Sequence, residues 1–248
     1  MKLWLTLTAA ILLTGCAAGG KAPQTQVEPA AALQKQLELG AAYLRQGDYP
    51  QARSKLNRAL EIDPESGAAF TTLGLLFQLE GEDDLADEYF QTALKHEPEL
   101  AQARNNYGVF LLSRQRYQQA IQQLQAASED RFYANRASVF ENLGRAYLEL
   151  EDSPAAQQAF RKATQLNPKQ SPALLALAEL LFDQRDYTEA GDLYQRHARL
   201  SPQSAQGLWL CVRLARVFRQ NAKEADCSQT LGDVFPASRE YEAYKETL

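Results

Sequence analysis

The chain is 248 residues long, 45% hydrophobic and 23% charged, with a formal net charge of −5 at neutral pH. That acidic balance argues against a nucleic-acid partner, which asks for a basic footprint. Beyond the first residues no apolar stretch is long enough to cross a bilayer as a helix, so no transmembrane helix is expected.

At the amino terminus Met1 and Lys2 precede an apolar run from Leu3 to Leu13. A positive residue before a short apolar core reads as a secretory signal over 1–15, since eleven residues are too few to span a membrane. A short buried helix is the alternative, but the run has no amphipathic period. Leu13-Thr14-Gly15-Cys16 resembles the bacterial lipobox, whose cysteine is acylated and becomes the first mature residue. The resemblance implies lipidation of Cys16, and a membrane anchor made durable by several acyl chains where a single chain holds only marginally. Ala17, where inner-membrane retention goes with Asp, implies the outer membrane. Processing would remove fifteen residues and Lys2 with them, leaving 233 residues and a charge of −6. Residues 16–32 are small, polar and broken by Pro23 and Pro29. They read as a flexible tether that could hold a periplasmic domain about 50 Å from the membrane when fully extended.

From residue 33 onward one pattern recurs. In 137–170 it places Phe140, Leu143, Gly144 and Tyr147 at relative positions 4, 7, 8 and 11, then Ala156, Phe160, Ala163 and Pro168 at 20, 24, 27 and 32. The first large residues make one face of a helix. The small residues at 8 and 20 let a second helix approach, Phe160 fills the gap between them, and Pro168 ends the second helix. The same places in 33–66 hold Leu39, Gly40, Tyr43, Ala52, Leu56, Ala59 and Pro64. In 67–100 they hold Phe70, Leu73, Gly74, Phe77, Ala86, Phe90, Ala93 and Pro98. The unit 101–136 keeps Tyr107, Gly108, Leu111, Ala120, Leu124 and Ala127 but has no closing proline and carries two extra residues. The unit 171–204 reads Leu174, Leu177, Ala178, Leu181, Ala190, Tyr194, Ala198 and Pro202. A degenerate copy, 205–238, keeps Leu208, Cys211, Val212, Ala215 and Pro236, and 239–248 reads as a carboxy-terminal cap. The pattern resembles the tetratricopeptide repeat, a 34-residue helix–turn–helix. That resemblance implies an all-α fold, a right-handed superhelical solenoid of about six repeats, whose concave wall is lined by the first helix of each pair.

In that family positions 2, 5, 9, 12 and 13 face the concave wall, a single stripe by helical spacing. Along it Leu37, Thr71, Leu75, Asn105, Val109 and Leu112 make an amino-terminal half that is mostly apolar and neutral. Glu141, Arg145, Leu175 and Glu179 make a carboxy-terminal half that carries charge. A run of apolar residues on such a wall suits an apolar peptide or strand. The alternative for each leucine is packing between neighbouring repeats, which Leu37, Leu75 and Val109 fit least well. Some repeats of this kind grip acidic tails with a Lys–Asn–Arg clamp, but Ala41 and Thr72 stand where its asparagines fall.

Other signals are plain. Gly81-Glu82-Asp83-Asp84 sits at the turn into a second helix, where carboxylates complement the helix dipole rather than hold calcium. His96 and His197 each lie near the end of a second helix and read as caps or solvated residues. No phosphate loop, nucleophile elbow or zinc spacing occurs, so neither cofactor, metal site nor enzymatic activity is expected. With Cys16 lipidated, Cys211 and Cys227 are left to pair in an oxidising compartment. They occupy positions 7 and 23 of the degenerate unit, where the helices approach closely enough for a disulfide.

Lipobox and repeats together resemble the type IV pilus biogenesis lipoproteins that act as pilotins of the pilus secretin. The telling stretches are Asn105-Asn106-Tyr107-Gly108-Val109-Phe110-Leu111-Leu112, the two-residue insertion before Ala137, Val139-Phe140-Glu141-Asn142-Leu143-Gly144, and Phe235-Pro236-Ala237-Ser238-Arg239-Glu240-Tyr241. The resemblance implies a monomeric outer-membrane lipoprotein facing the periplasm, with secretin subunits as its partners. Two alternatives are a general periplasmic scaffold for cell-wall synthases or barrel assembly, and a hydrolase with an unrecognised site.

Overall fold

The structure, a computed structural model, describes residues 28–248; the signal sequence, Cys16 and the tether to residue 27 lie outside them. Six antiparallel helix pairs follow one another: α1 (Pro29–Gln46) with α2 (Tyr49–Ile62), α3 (Gly67–Glu80) with α4 (Asp83–His96), and α5 (Ala101–Ser113) with α6 (Tyr117–Glu129). Then come α7 (Arg136–Glu149) with α8 (Ser153–Leu166), α9 (Ser171–Asp183) with α10 (Tyr187–Leu200), and α11 (Ala205–Val217) with α12 (Asn221–Val234). The short α13 (Arg239–Lys245) caps the end. Each first helix also packs against the next first helix, α1 on α3 through to α9 on α11, which makes the pairs a solenoid. One boundary is corrected. Pro29–Ala32, read as tether, are the first turn of α1, because proline at N1 has the fixed φ a helix start wants.

The small-against-large rule of the repeat is a steric fact here. A Cβ placed on Gly108 would lie 2.6 Å from Leu124 Cγ, and one on Gly144 would lie 2.6 Å from Phe160 Cε1. Leu56, Phe90, Leu124 and Phe160, the plugs at position 24, are all completely buried. In the fifth unit the repeat pattern assigns Ala198 to the small position 27. That position is His197, which is buried, while Ala198 is exposed.

Every first helix ends in the same way. The residues at 47, 81, 115, 151, 185 and 219 are left-handed, with φ between 55° and 80°. Only Gly47 and Gly81 are glycines; Gln115, Glu151, Arg185 and Arg219 hold the same conformation with side chains. In each turn the left-handed N–H and the N–H after it reach back to two helix carbonyls, as in Arg185 N to Phe182 O and Asp186 N to Leu181 O, both 2.9 Å. The second of these residues is also the N-cap of the next helix. Asp48, Asp152 and Asp186 there accept from the N–H of Gln51, Ala155 and Glu189.

The buried core falls into three clusters. One runs from Ala52 to Leu143 and Ala159, a second from Ala156 and Phe160 to Leu214, and a third holds Leu208, Cys211, Val212, Cys227 and Leu231. Phe140 and Tyr147 of α7 pack against both larger clusters. In the third, Cys211 and Cys227 are joined by a disulfide, with Cα atoms 6.2 Å apart.

Candidate functional site: a cleft in the concave wall

The expected stripe divides into core and open wall. Thr71 is fully buried, its hydroxyl donating to Gly67 O at 2.6 Å, and so is not a groove contact. Asn105 is buried too and accepts from Asn142 Nδ2 at 3.2 Å, a side-chain bridge between the third and fourth units. Leu175 is 6% exposed and belongs to the second core cluster. All three stand at position 5 of their units, a place that is less buried at Leu37, Glu141 and Trp209 in the first, fourth and sixth units. Leu37, Leu75 and Leu112 are half-buried against the core, and Val109 is partly exposed.

This ordering gives a testable contrast. Leu75→Glu should cost about 1–3 kcal/mol, because a carboxylate must leave water against packed neighbours. Val109→Glu should change the unfolding midpoint little. Thermal unfolding by circular dichroism measures both, and equal losses would place Val109 in the core.

A cleft lies further along, between α7, α9 and the start of α11. It has a volume of about 460 Å³ and an apolar floor of Phe160, Leu148, Pro172, Leu175 and Ala176. Glu141, Arg145 and Gln206 stand on its walls, with His197, Ser201, Pro202 and Ser204 at one side. A cleft of this size and apolar lining is what ligand sites generally look like.

The polar groups differ in how far they are already satisfied. Glu141 accepts from Gln170 Nε2 at 2.6 Å. Glu179 accepts from Gln206 Nε2 at 2.5 Å and has Arg213 at 3.7 Å. Burial pushes the Glu179 carboxyl above the usual carboxylate range, with Gln206 and Arg213 pulling the other way. Arg213 also reaches Asp183 at 3.4 Å and lies over the rings of Phe182 (4.6 Å) and Trp209 (5.7 Å). Its buried Nε has no acceptor among the described residues. Arg145 is exposed and makes no hydrogen bond or ion pair among the described residues.

His197 corrects the reading of a cap or solvated residue. It is 7% exposed, with Nδ1 2.8 Å from Ser171 Oγ and 3.0 Å from Ser171 O, and Ser201 Oγ donates to Ser171 Oγ at 2.6 Å. This polar knot fastens the end of α10 to the start of α9 beside the cleft. His96 is exposed and stacks on Phe70 with ring centres 5.4 Å apart. Asp83, in the acidic turn, pairs with Arg114 at 2.5 Å. Gln206, Trp209 and Arg213 were missed because the sixth unit looked degenerate; carrying positions 2, 5 and 9 into it would have found them.

Comparison with known proteins agrees with this architecture. Tetratricopeptide-repeat family descriptions match residues 36–66, 99–169 and 141–205. The chain is 37% identical to the type IV pilus assembly protein PilF of Pseudomonas aeruginosa over 243 residues, 97% of this chain and 96% of that protein. The solved structure of Pseudomonas aeruginosa PilF superposes with a TM-score of 0.85, covering 89% of this chain and 99% of that one. PilW, described as a widely conserved type IV pilus biogenesis factor, shares the fold at a TM-score of 0.71 and 24% identity, over 86% of this chain and 97% of its own. Identity at this level along almost the whole length of both chains, on the same six helix pairs, means that this chain belongs to the PilF family of tetratricopeptide-repeat proteins of type IV pilus biogenesis.

Proposed function

We propose that the chain is a lipid-anchored pilotin: held at the periplasmic face of the outer membrane through Cys16, it binds subunits of the pilus secretin along its concave wall and promotes their assembly into a ring. The observation that carries this reading is the wall itself. Along it the partly exposed apolar side chains of Leu37, Leu75, Val109 and Leu112 lead toward a cleft with Leu148, Pro172 and Ala176 on its floor. Full-length similarity to a pilus assembly protein and the Leu-Thr-Gly-Cys motif support it. The role asked of the chain is to hold and present a partner. A monomer suffices, since the groove is formed within one chain.

Cys16→Ser separates anchoring from binding. The variant should leave the outer-membrane fraction and strand the secretin with it, so that assembled secretin rings disappear from that fraction. Normal multimers with the variant would end the lipoprotein mechanism.

A further inference from the structure

Resting on the reading that the concave wall is the partner site, we propose which chemistry the cleft selects: an extended peptide segment in which a large apolar side chain lies beside an internal Asp or Glu. The apolar half of that statement comes from the floor. Leu148, Pro172, Leu175 and Ala176 line a space of about 460 Å³, more than any one side chain fills, and offer it few hydrogen-bond donors.

The acidic half comes from the balance of satisfied and unsatisfied groups. The carboxylates along the wall each have a donor within the chain: Glu141 has Gln170, Glu149 has Tyr117, Glu179 has Gln206 and Asp183 has Arg213. Glu141 stands one turn before Arg145 on α7, yet turns to Gln170 instead of to that arginine. Arg145 is thus a cation on the cleft wall with no partner among the described residues. A carboxylate entering here meets the Arg145 guanidinium, whereas a cation meets a Glu141 carboxylate that Gln170 already holds. Guanidinium–carboxylate pairs are among the stronger polar contacts, and desolvation by a bound segment strengthens them.

The segment is internal to its chain because the stripe runs past the cleft on both sides. Val109 and Leu112 lie before it and Trp209 after it, each partly exposed. A chain terminus would leave one of these flanks unused.

End-capped fluorescent peptides of about ten residues, N-acetylated and C-amidated, provide the test. One set carries Phe or Leu beside Asp, a second has Asn for Asp, and a third has Ala for the apolar residue. Anisotropy titration against the full-length chain should show both altered sets binding about tenfold more weakly than the first. Arg145→Gln, whose circular dichroism melt should match the parent because the side chain is exposed, should lose the same factor and bind the Asp and Asn sets alike. Equal binding of those two sets by the parent chain would overturn the inference, as would an undiminished Asp preference in Arg145→Gln. Binding only of peptides with a free terminal carboxylate would overturn it too. Secretin capture that is unaltered by Arg145→Gln would sink this inference and leave the pilotin reading standing. Arg145-dependent peptide binding without secretin capture would do the reverse.

Discussion

Replacing Phe160 with alanine should lower the stability of the chain by about 3–5 kcal/mol. The ring is completely buried, sits against Gly144 where not even a methyl group fits, and floors the cleft. Its removal leaves a cavity that the neighbouring helices can close only by shifting. The position matters as much as the size. In a stack each unit is held by its neighbours, so a weak fourth unit uncouples the units before it from those after it. Urea unfolding followed by circular dichroism should therefore change from one transition to two, with an early step for the carboxy-terminal units. A single transition at the parent midpoint would show that the ring is not the plug described. Phe132, 97% exposed on the α6–α7 loop, is the matched control, and its alanine variant should unfold with the parent.

Loss of the Cys211–Cys227 disulfide should cost about 3 kcal/mol for a sequence separation of 16, and the damage should stay local. The sixth unit has Glu224 where its relatives have a small residue and Ser228 where they have a plug. Its core cluster is the smallest of the three, and both cysteines are part of it. Without the covalent link, the packing that remains around Leu208, Val212 and Leu231 is thin. Hydrogen exchange on Cys227→Ser should show lost protection in α11, α12 and α13, while α1 to α8 exchange as in the parent. The link itself is read by mass after alkylation of the denatured, unreduced chain. Uptake of label by Cys211 and Cys227 would show it to be absent. Because Gln206 of the cleft wall lies on α11, the cleft should loosen at that end at the same time.

The parts of the fold set by local spacing were legible in the sequence. Gly108 with Leu124 and Gly144 with Phe160 recur at fixed distances within a unit, and each pair meets as its spacing requires. What spacing could not show was the contact between units. Thr71 and Asn105 share a stripe with Val109 and Arg145, yet the stacked fold buries the first two and leaves the others reachable. That depends on how the units curve, which no single unit encodes. His197 is illegible for a simpler reason: a buried histidine with serine partners occupies a place normally given to alanine, and alanine follows it at Ala198. The cleft needed three units at once and was invisible for the same reason as the covering of Thr71.

The turn that closes each first helix bears on what this chain can vary. Its left-handed residue recurs at 47, 81, 115, 151, 185 and 219, whether it is Gly, Gln, Glu or Arg. A side chain in that conformation costs roughly 1 kcal/mol, yet four turns of the six carry one. The backbone shape is kept whichever residue occupies it, as one turn repeated through six units requires. The wall residues are under no such demand. Such an array can hence redraw its groove, one unit at a time, while every turn keeps the register in which the next unit stacks.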